Sequence, residues 1–277
     1  MAIHRFEVGT LKCIVLSELQ NPVTYDESYA GSLPNASFDQ MRAVLDEIGA
    51  GETGNHDMNA LFVDDGNNKL LVDTGLGNPE RSGLLASLAE ADLSPEDITI
   101  VYLTHFHGDH IGGLTHPDGS LTFPNARYVT MKEEWEHWTN EATLATMGER
   151  AALIQQKILP LKDKMTLLAH SNAMMAGVQV VAAPGHTPGH SGLLLNSMGQ
   201  RLLALADTIG RLPQFTRPDW HFIYDADKPQ AVLTREAMLE LAADENLLTF
   251  FYHMAFPGLG YVERAGKGFR WVPVASN

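Results

Sequence analysis

A layered helix/sheet/sheet/helix α/β fold is what this sequence predicts, on three observations. Short runs dense in Val, Ile, Leu and aromatic residues alternate with segments of helical periodicity. The chain has 277 residues, enough to bury one large core. No linker, internal repeat or low-complexity segment divides it, so residues 1–277 are expected to form a single domain of two mixed sheets flanked by helices.

Taken in order, the β-rich runs are "LKCIVLS" (11–17), "NALFVDD" (59–65), "KLLVD" (69–73), "DITIVYL" (97–103), "ARYVT" (126–130), "VQVVAA" (178–183), "GLLLN" (192–196), "RLLALAD" (201–207) and "LLTFFYH" (247–253). Their apolar density predicts strands covered on one or both faces. "VDDGNNKLLVD" reads as a hairpin turned at Gly66–Asn67–Asn68. Helices are expected at 79–91 from a proline start, at 131–138, at 141–159, and at 228–245 with Pro229 in the first turn. Trp135 and Trp138, three apart, share the core face of one of these. From Asn21 to Asp57 there is no strand signal and only a short helix at 38–48. A segment of that length reads as a lid or a dimer contact, the latter implying a homodimer.

Composition narrows the function. A net charge of −15 repels phosphate backbones and argues against nucleic acid as a partner. The lone cysteine, Cys13, excludes a disulfide framework and reads as a buried strand residue. The N-terminal stretch has no apolar h-region, and no run approaches the ~18 apolar residues that cross a bilayer. The expectation is a cytoplasmic protein that acts on a small molecule and not on a membrane.

"THFHGDH" (104–110) packs His105, His107, Asp109 and His110 behind a strand. Residues two apart in an extended chain point to one side, and Gly108 permits a bend that returns Asp109 and His110 to the same space. Such crowding of imidazole and carboxylate points to a metal site. Asp73, His186, Asp207 and His253 each end or follow an apolar strand, where α/β folds collect functional groups. Together these side chains offer enough nitrogen and oxygen for two divalent ions. Two ions need a bridging oxygen ligand, and Asp207 is the best carboxylate for it. Zinc suits the donors, as do manganese, iron and cobalt. His4, His56, His116, His137, His170 and His221 lack ligand spacing, although His56 and His221 could approach a pocket. Phe215, Trp220 and Phe222, in the irregular stretch after Asp207, are candidates for an apolar substrate wall.

"THFHGDH" resembles the HxHxDH signature of the metallo-β-lactamase superfamily. "DTG" (73–75), "PGHTPGH" (184–190), "AD" (206–207) and His253 stand in that family's order and approximate spacing. The resemblance implies an αββα sandwich with a dinuclear site in the cleft between the sheet edges. It implies that His105, His107 and His186 hold one metal, that Asp109, His110 and His253 hold the other, and that Asp207 bridges them. Asp73 and His190 would support these ligands from behind. An aspartate at 207, where some β-lactamases use cysteine, argues against a true β-lactamase. The C-terminal run "HMAFPGLGYVERAGKGFRWVPV" resembles the branch containing methyl parathion hydrolase and lactonase-like enzymes. Many lactonases carry a tyrosine shortly after the bridging aspartate, whereas here none occurs before Tyr224.

The function these observations imply is metal-dependent hydrolysis. A metal lowers the pKa of its water from about 16 to about 7, so a bridging hydroxide can attack an ester, lactone or phosphotriester. Two divalent ions against Asp109, Asp207 and that hydroxide leave about one net positive charge for the developing oxyanion. Asp109 could also relay the proton, making Asp109 and Asp207 the catalytic carboxylates. A glyoxalase II-type thioesterase is the alternative, with Arg264, Lys267 and Arg270 as its candidate basic patch. A mononuclear iron dioxygenase is the alternative of a different class.

Overall fold

Alternate residues of one strand feed two different cores, which is why the strand runs read as continuously apolar. The computed structural model describes residues 2–169 and 173–274; His170 lies outside them. In chain order the strands are β1 (Ile3–Val8), β2 (Leu11–Leu19), β3 (Pro22–Thr24), β4 (Thr53–Asn55), β5 (Met58–Asp64), β6 (Lys69–Val72), β7 (Ile100–Tyr102), β8 (Arg127–Met131), β9 (Met165–Leu168), β10 (Ala173–Met175), β11 (Val178–Ala182), β12 (Ser191–Ser197), β13 (Gln200–Ala204), β14 (Leu248–Phe250), β15 (Leu259–Ala265) and β16 (Gly268–Pro273). The helices are α1 (Glu27–Ala30), α2 (Phe38–Glu47), α3 (Leu84–Glu90), α4 (Gly108–Ile111), α5 (Lys132–Thr139), α6 (Glu141–Thr146), α7 (Glu149–Lys157) and α8 (Lys228–Asp244).

The first sheet has the order β1-β2-β5-β6-β7-β8-β9, and the second runs β10 to β16 in chain order. The first is antiparallel as far as β6 and parallel from β6 to β9. The second is antiparallel except for the β13–β14 pair, whose crossover carries α8. Val15, Leu61, Val63, Val72 and Tyr102 of the first sheet meet Leu193, Leu195, Leu202 and Phe250 of the second in the central core. The intervening residues Leu16, Phe62, Leu71 and Val101 face outward onto Leu84 and Leu88 of α3, Trp138 of α5 and Ile154 of α7. Behind the second sheet, Leu203, Leu205 and Phe251 pack on Leu239 and Ala242 of α8. The expected αββα layering is therefore present. Cys13 lies in the central core, where burial pushes its thiol up to about 12.

Several boundaries differ from expectation, each for a tertiary reason. The helix expected at 79–91 begins at Leu84 and not at Pro79. The Glu18 carboxylate, reaching across from β2, accepts from the backbone N–H of Gly83 at 3.0 Å and Leu84 at 2.8 Å, and so does the work of a cap. The run at 141–159 breaks into α6 and α7 because Gly148 turns with φ 57°. The segment from Asn21 to Asp57 does contain strand, since β3 and β4 pair antiparallel at its base. Above that ribbon it folds on its own apolar cluster, in which Tyr25, Tyr29, Leu33, Met41 and Leu45 close on Trp220. The hairpin at 66–68 forms as read, with Asp64 opposite Lys69. Among the described residues no helix is long and apolar enough to cross a membrane.

The helix expected at 228–245 forms as α8, and Asp227 caps it by accepting from the Gln230 N–H at 3.1 Å. Asp227→Ala should therefore lower the unfolding free energy by about 1 kcal/mol in urea titration. An unchanged midpoint would show that the cap contributes nothing.

Candidate metal centre

Both sheets deliver side chains to one end of the sandwich. β7 ends at Tyr102, the chain bends at Thr104, and His107 is extended, with φ and ψ of −74° and 155°. His105 and His107 therefore project to the same side. The single turn α4 then brings Asp109 and His110 back beside them, as the bend at Gly108 was expected to do. From the second sheet, His186 follows β11, Asp207 sits in a 3-10 turn after β13, and His253 follows β14. The ligating atoms of His105, His107 and His186 lie within 4.8 Å of one another, as do those of His105, His110 and Asp207, and those of Asp109, His110 and His253. All seven residues picked from the sequence thus meet.

The hydrogen bonds behind the imidazoles fix which nitrogen faces inward. His110 donates Nδ1–H to Asp73 Oδ2 at 2.7 Å, and His186 donates Nδ1–H to Asp225 Oδ1 at 3.0 Å. His253 donates Nδ1–H to the Asp57 carbonyl at 3.1 Å. Thr104 Oγ1 donates to Asp73 Oδ2, which leaves its lone pair to accept from His105 Nδ1 at 3.1 Å. Four imidazoles are thereby set with Nε2 lone pairs converging on a common space. His105 Nε2, His110 Nε2 and Asp207 Oδ1 are buried there with no hydrogen-bond partner. Buried polar atoms are otherwise paired, so converging lone pairs and a carboxylate are an arrangement that a divalent cation satisfies and a neutral core does not.

The charges agree. Asp207 Oδ2 stands 3.1 Å from His253 Nε2 and 3.4 Å from His186 Nε2, and Asp207 Oδ1 stands 3.2 Å from His110 Nε2. Burial lowers His253, but the Asp207 and Asp109 carboxylates outweigh it and hold the imidazole up at about 9. At His107 burial and the neighbouring His186 outweigh the same two carboxylates and lower the imidazole to about 3. The cluster demands positive charge at its centre.

Asp73 and His190 both sit behind the inward-facing groups. Asp73 (φ 62°) bonds His110, and its other oxygen accepts from the Thr104 N–H at 2.9 Å. His190 donates Nδ1–H to the Ala183 carbonyl at 2.8 Å and accepts from the Asp207 N–H at 3.1 Å, so it orients Asp207. Three supports were missed. Asp225 holds His186 and is itself bonded by Arg235 at 3.0 Å. Asp57 accepts from the backbone N–H of Asn21 and Phe256 while its carbonyl holds His253. Glu134 accepts from the Phe106 N–H at 2.8 Å, the Thr187 hydroxyl at 2.7 Å and the Gly189 N–H at 3.0 Å, tying the two histidine loops together. A signal for Glu134 existed: it lies four residues before Trp138, on the buried face of a predicted helix.

Above the cluster opens a cavity of about 670 Å³. Its apolar wall includes Leu76, Phe106, Trp138, Leu153, Ile154 and Phe222, and its remaining polar lining includes His56, Arg150, Arg211 and Tyr224. Of the three aromatics proposed for the wall, only Phe222 lines it. Phe215 packs behind the second sheet, 5.2 Å from both Phe251 and Trp271, and Trp220 closes the cluster of the 21–57 segment. His56 does reach the cavity and stacks on His253 at 4.3 Å, whereas His221 does not line it. Trp138 is buried core as expected, and it also presents its ring to His107 at 5.8 Å.

Residues 54–253 match a family model described as the metallo-beta-lactamase superfamily. A solved structure of AidC, a dizinc quorum-quenching lactonase in complex with the product N-hexanoyl-L-homoserine, superposes with a TM-score of 0.86 and 28% identity, covering 100% of this chain and 98% of that one. An N-acyl homoserine lactonase of Bacillus cereus is 24% identical over 174 residues, 63% of each chain. An atrochrysone carboxyl ACP thioesterase of Emericella nidulans is 38% identical over 76 residues, 27% of this chain and 23% of that protein. The chain spans less than two thirds of the length of these two curated relatives.

Two measurements test this architecture. Asp73→Ala and Asp225→Ala each release one imidazole, so chelator competition should find metal binding about 10–100-fold weaker in both. Native-like affinity in either variant would remove that carboxylate from the support of the site. The second concerns Glu134, which burial pushes up to about 7 from an ordinary 4.5 against hydrogen bonds that favour the carboxylate. A raised pKa means folding favours the protonated acid, and that stability is lost as pH rises through the folded value. Relative to Glu134→Gln, the stability of the metal-free protein should fall between pH 4.5 and 7 and level off above. A constant difference across that window would disprove the shift.

Proposed function

Because this chain belongs to the metallo-beta-lactamase superfamily, we propose that it is a dinuclear, zinc-dependent hydrolase that opens lactones, with other esters and phosphotriesters as lesser substrates. The observation that carries this reading is the convergence of imidazole lone pairs on Asp207 at the floor of an apolar-walled cavity. His105, His107 and His186 would hold one ion, Asp109, His110 and His253 the other, and Asp207 both. When bound, the two ions would supply hydroxide at neutral pH and positive charge opposite an oxygen that gains charge.

The chain's own residues do the remaining work. Of the cluster's two carboxylates, both of which line the cavity, Asp109 is the more exposed, at 24% of its side chain against 4% for Asp207, so it would take up the proton and return it to the departing alkoxide. Phe106, Trp138, Leu153 and Ile154 would hold an acyl chain and exclude water. The product bound in AidC, an acylated homoserine, has that division into an apolar chain and a polar ring-derived end.

Two features count against the alternatives. The basic patch read from the sequence for a glutathione thioester is engaged elsewhere, since Arg264 pairs with Asp244 and Arg270 with Glu263. Neither lines the cavity, and neither does Lys267. A single-iron dioxygenase leaves the second group, Asp109, His110 and His253, without a purpose.

Elemental analysis combined with a substrate panel tests the proposal. About two ions per chain are expected, with lactones turned over faster than phosphotriesters, aryl esters or thioesters. Asp207→Ala and His107→Ala should each lower kcat/KM by about 10²–10³-fold and lose metal. Near-native turnover in either variant at full metal content would overturn the mechanism, and a preference for thioesters would overturn the substrate class.

A further inference from the structure

Arg211 is a half-enclosed guanidinium without a counter-ion. Its Nε donates to Ser32 Oγ at 2.9 Å, and its Nη1 donates to the Gly210 carbonyl at 2.9 Å. The same Nη1 stands 2.9 Å from His56 Nε2 and 3.1 Å from Nδ1. Tyr29 and Phe222 sandwich the cation, with ring centroids 5.0 and 5.1 Å from Cζ. Three elements therefore hold it in one orientation. Among the described residues no carboxylate lies within ion-pair distance of it, whereas Arg235, also in this half of the chain, has Asp225 at 3.0 Å. Its Nη2 makes no hydrogen bond within the described residues, although the side chain lines the cavity.

Enclosing a cation without a counter-ion is costly, and arginine stays protonated throughout the physiological range. The unspent Nη2 donors therefore mark a place where a ligand supplies the acceptor. That place adjoins the reacting centre: His56, which Arg211 touches, stacks directly on His253. A molecule with a net charge of −15 repels free anions at range, so a neutral, strongly polar acceptor fits better than a carboxylate. The commonest such acceptor is an amide carbonyl.

Resting on the lactonase reading, we propose that Arg211 is a specificity-determining residue that binds the carbonyl oxygen of an amide substituent next to the scissile ester. The acceptor gains a charge-assisted hydrogen bond, and the 21–57 segment, through Tyr29, Ser32 and His56, keeps the donor aimed. A lysine cannot reproduce the arrangement, because its point charge lacks the rigid planar fork.

The test uses two γ-butyrolactones that differ only beside the ring carbonyl, one bearing a hexanoylamino group and the other an alkyl chain of equal length. The measured quantity is the ratio of their kcat/KM values in the metal-loaded wild type, Arg211→Met and Arg211→Lys. Because both rates come from one preparation, the ratio is insensitive to the folded fraction. The wild type should favour the amide. That preference should drop about 10–100-fold in Arg211→Met, mainly through KM, with only partial recovery in Arg211→Lys. Parallel losses on both lactones with an unchanged ratio would reduce Arg211 to a wall residue and overturn the proposal. If Arg211→Met opens neither lactone, the ratio in Arg211→Lys decides on the same criterion. A wild type that opens neither lactone overturns the lactonase reading itself, a result distinct from an Arg211-independent ratio.

Discussion

Asp207 is a carboxylate with four imidazole nitrogens within 4 Å: His253 at 3.1 Å, His110 at 3.2 Å, His186 at 3.4 Å and His105 at 3.9 Å. At 3% exposure it cannot rely on water, so the surrounding groups must answer its charge. Neutral imidazoles answer it only when their lone pairs share a cation with it; protonated ones answer it directly. The supports of Asp73, Asp225, Asp57 and Thr104 favour the first arrangement, since each occupies a nitrogen on the far side of a ring. His190 fixes Asp207 from behind. Much of the buried polarity of the molecule is thus arranged around one carboxylate.

How much of this could be read from the sequence follows from the range of each interaction. "THFHGDH" was legible because its four donors are brought together by local backbone geometry, an extended stretch followed by one helical turn. His186, Asp207 and His253 were legible because each terminates an apolar strand, and strand ends converge in layered α/β folds. Asp225 and Glu18 act through partners 39 and 58 or more positions away, with no spacing to announce them. The same holds for the helix boundaries: Pro79 looked like a start, but the carboxylate that satisfies the first N–H groups of α3 comes from another strand. β1, "IHRFEV", escaped notice because an edge strand alternates exposed polar and half-buried residues and never becomes densely apolar.

The aromatics show a different limit. Phe215, Trp220 and Phe222 share one irregular stretch, yet they enter three environments: the core behind the second sheet, the cluster under the 21–57 segment, and the cavity wall. Hydrophobicity alone is equally satisfied by all three. What separates them is the course of the loop, which the hydrogen bonds of Gln214 and Arg235 to the Trp220 carbonyl determine. The 21–57 segment contributes to the same wall through His56, and it does so from a small core of its own.

The division of the cluster between the two sheets has a consequence for assembly. Residues up to 110 supply His105, His107, Asp109 and His110, and residues from 186 onward supply His186, Asp207 and His253. Neither half of the chain contains a complete set, and Glu134 is the strut that joins their loops. Occupation of the centre would therefore act as a non-covalent cross-link over a span of some hundred residues, available only after both sheets have closed in register. A half-folded or slipped chain would offer an ion only part of the donor set, so full loading would serve as proofreading of the fold before any substrate arrives.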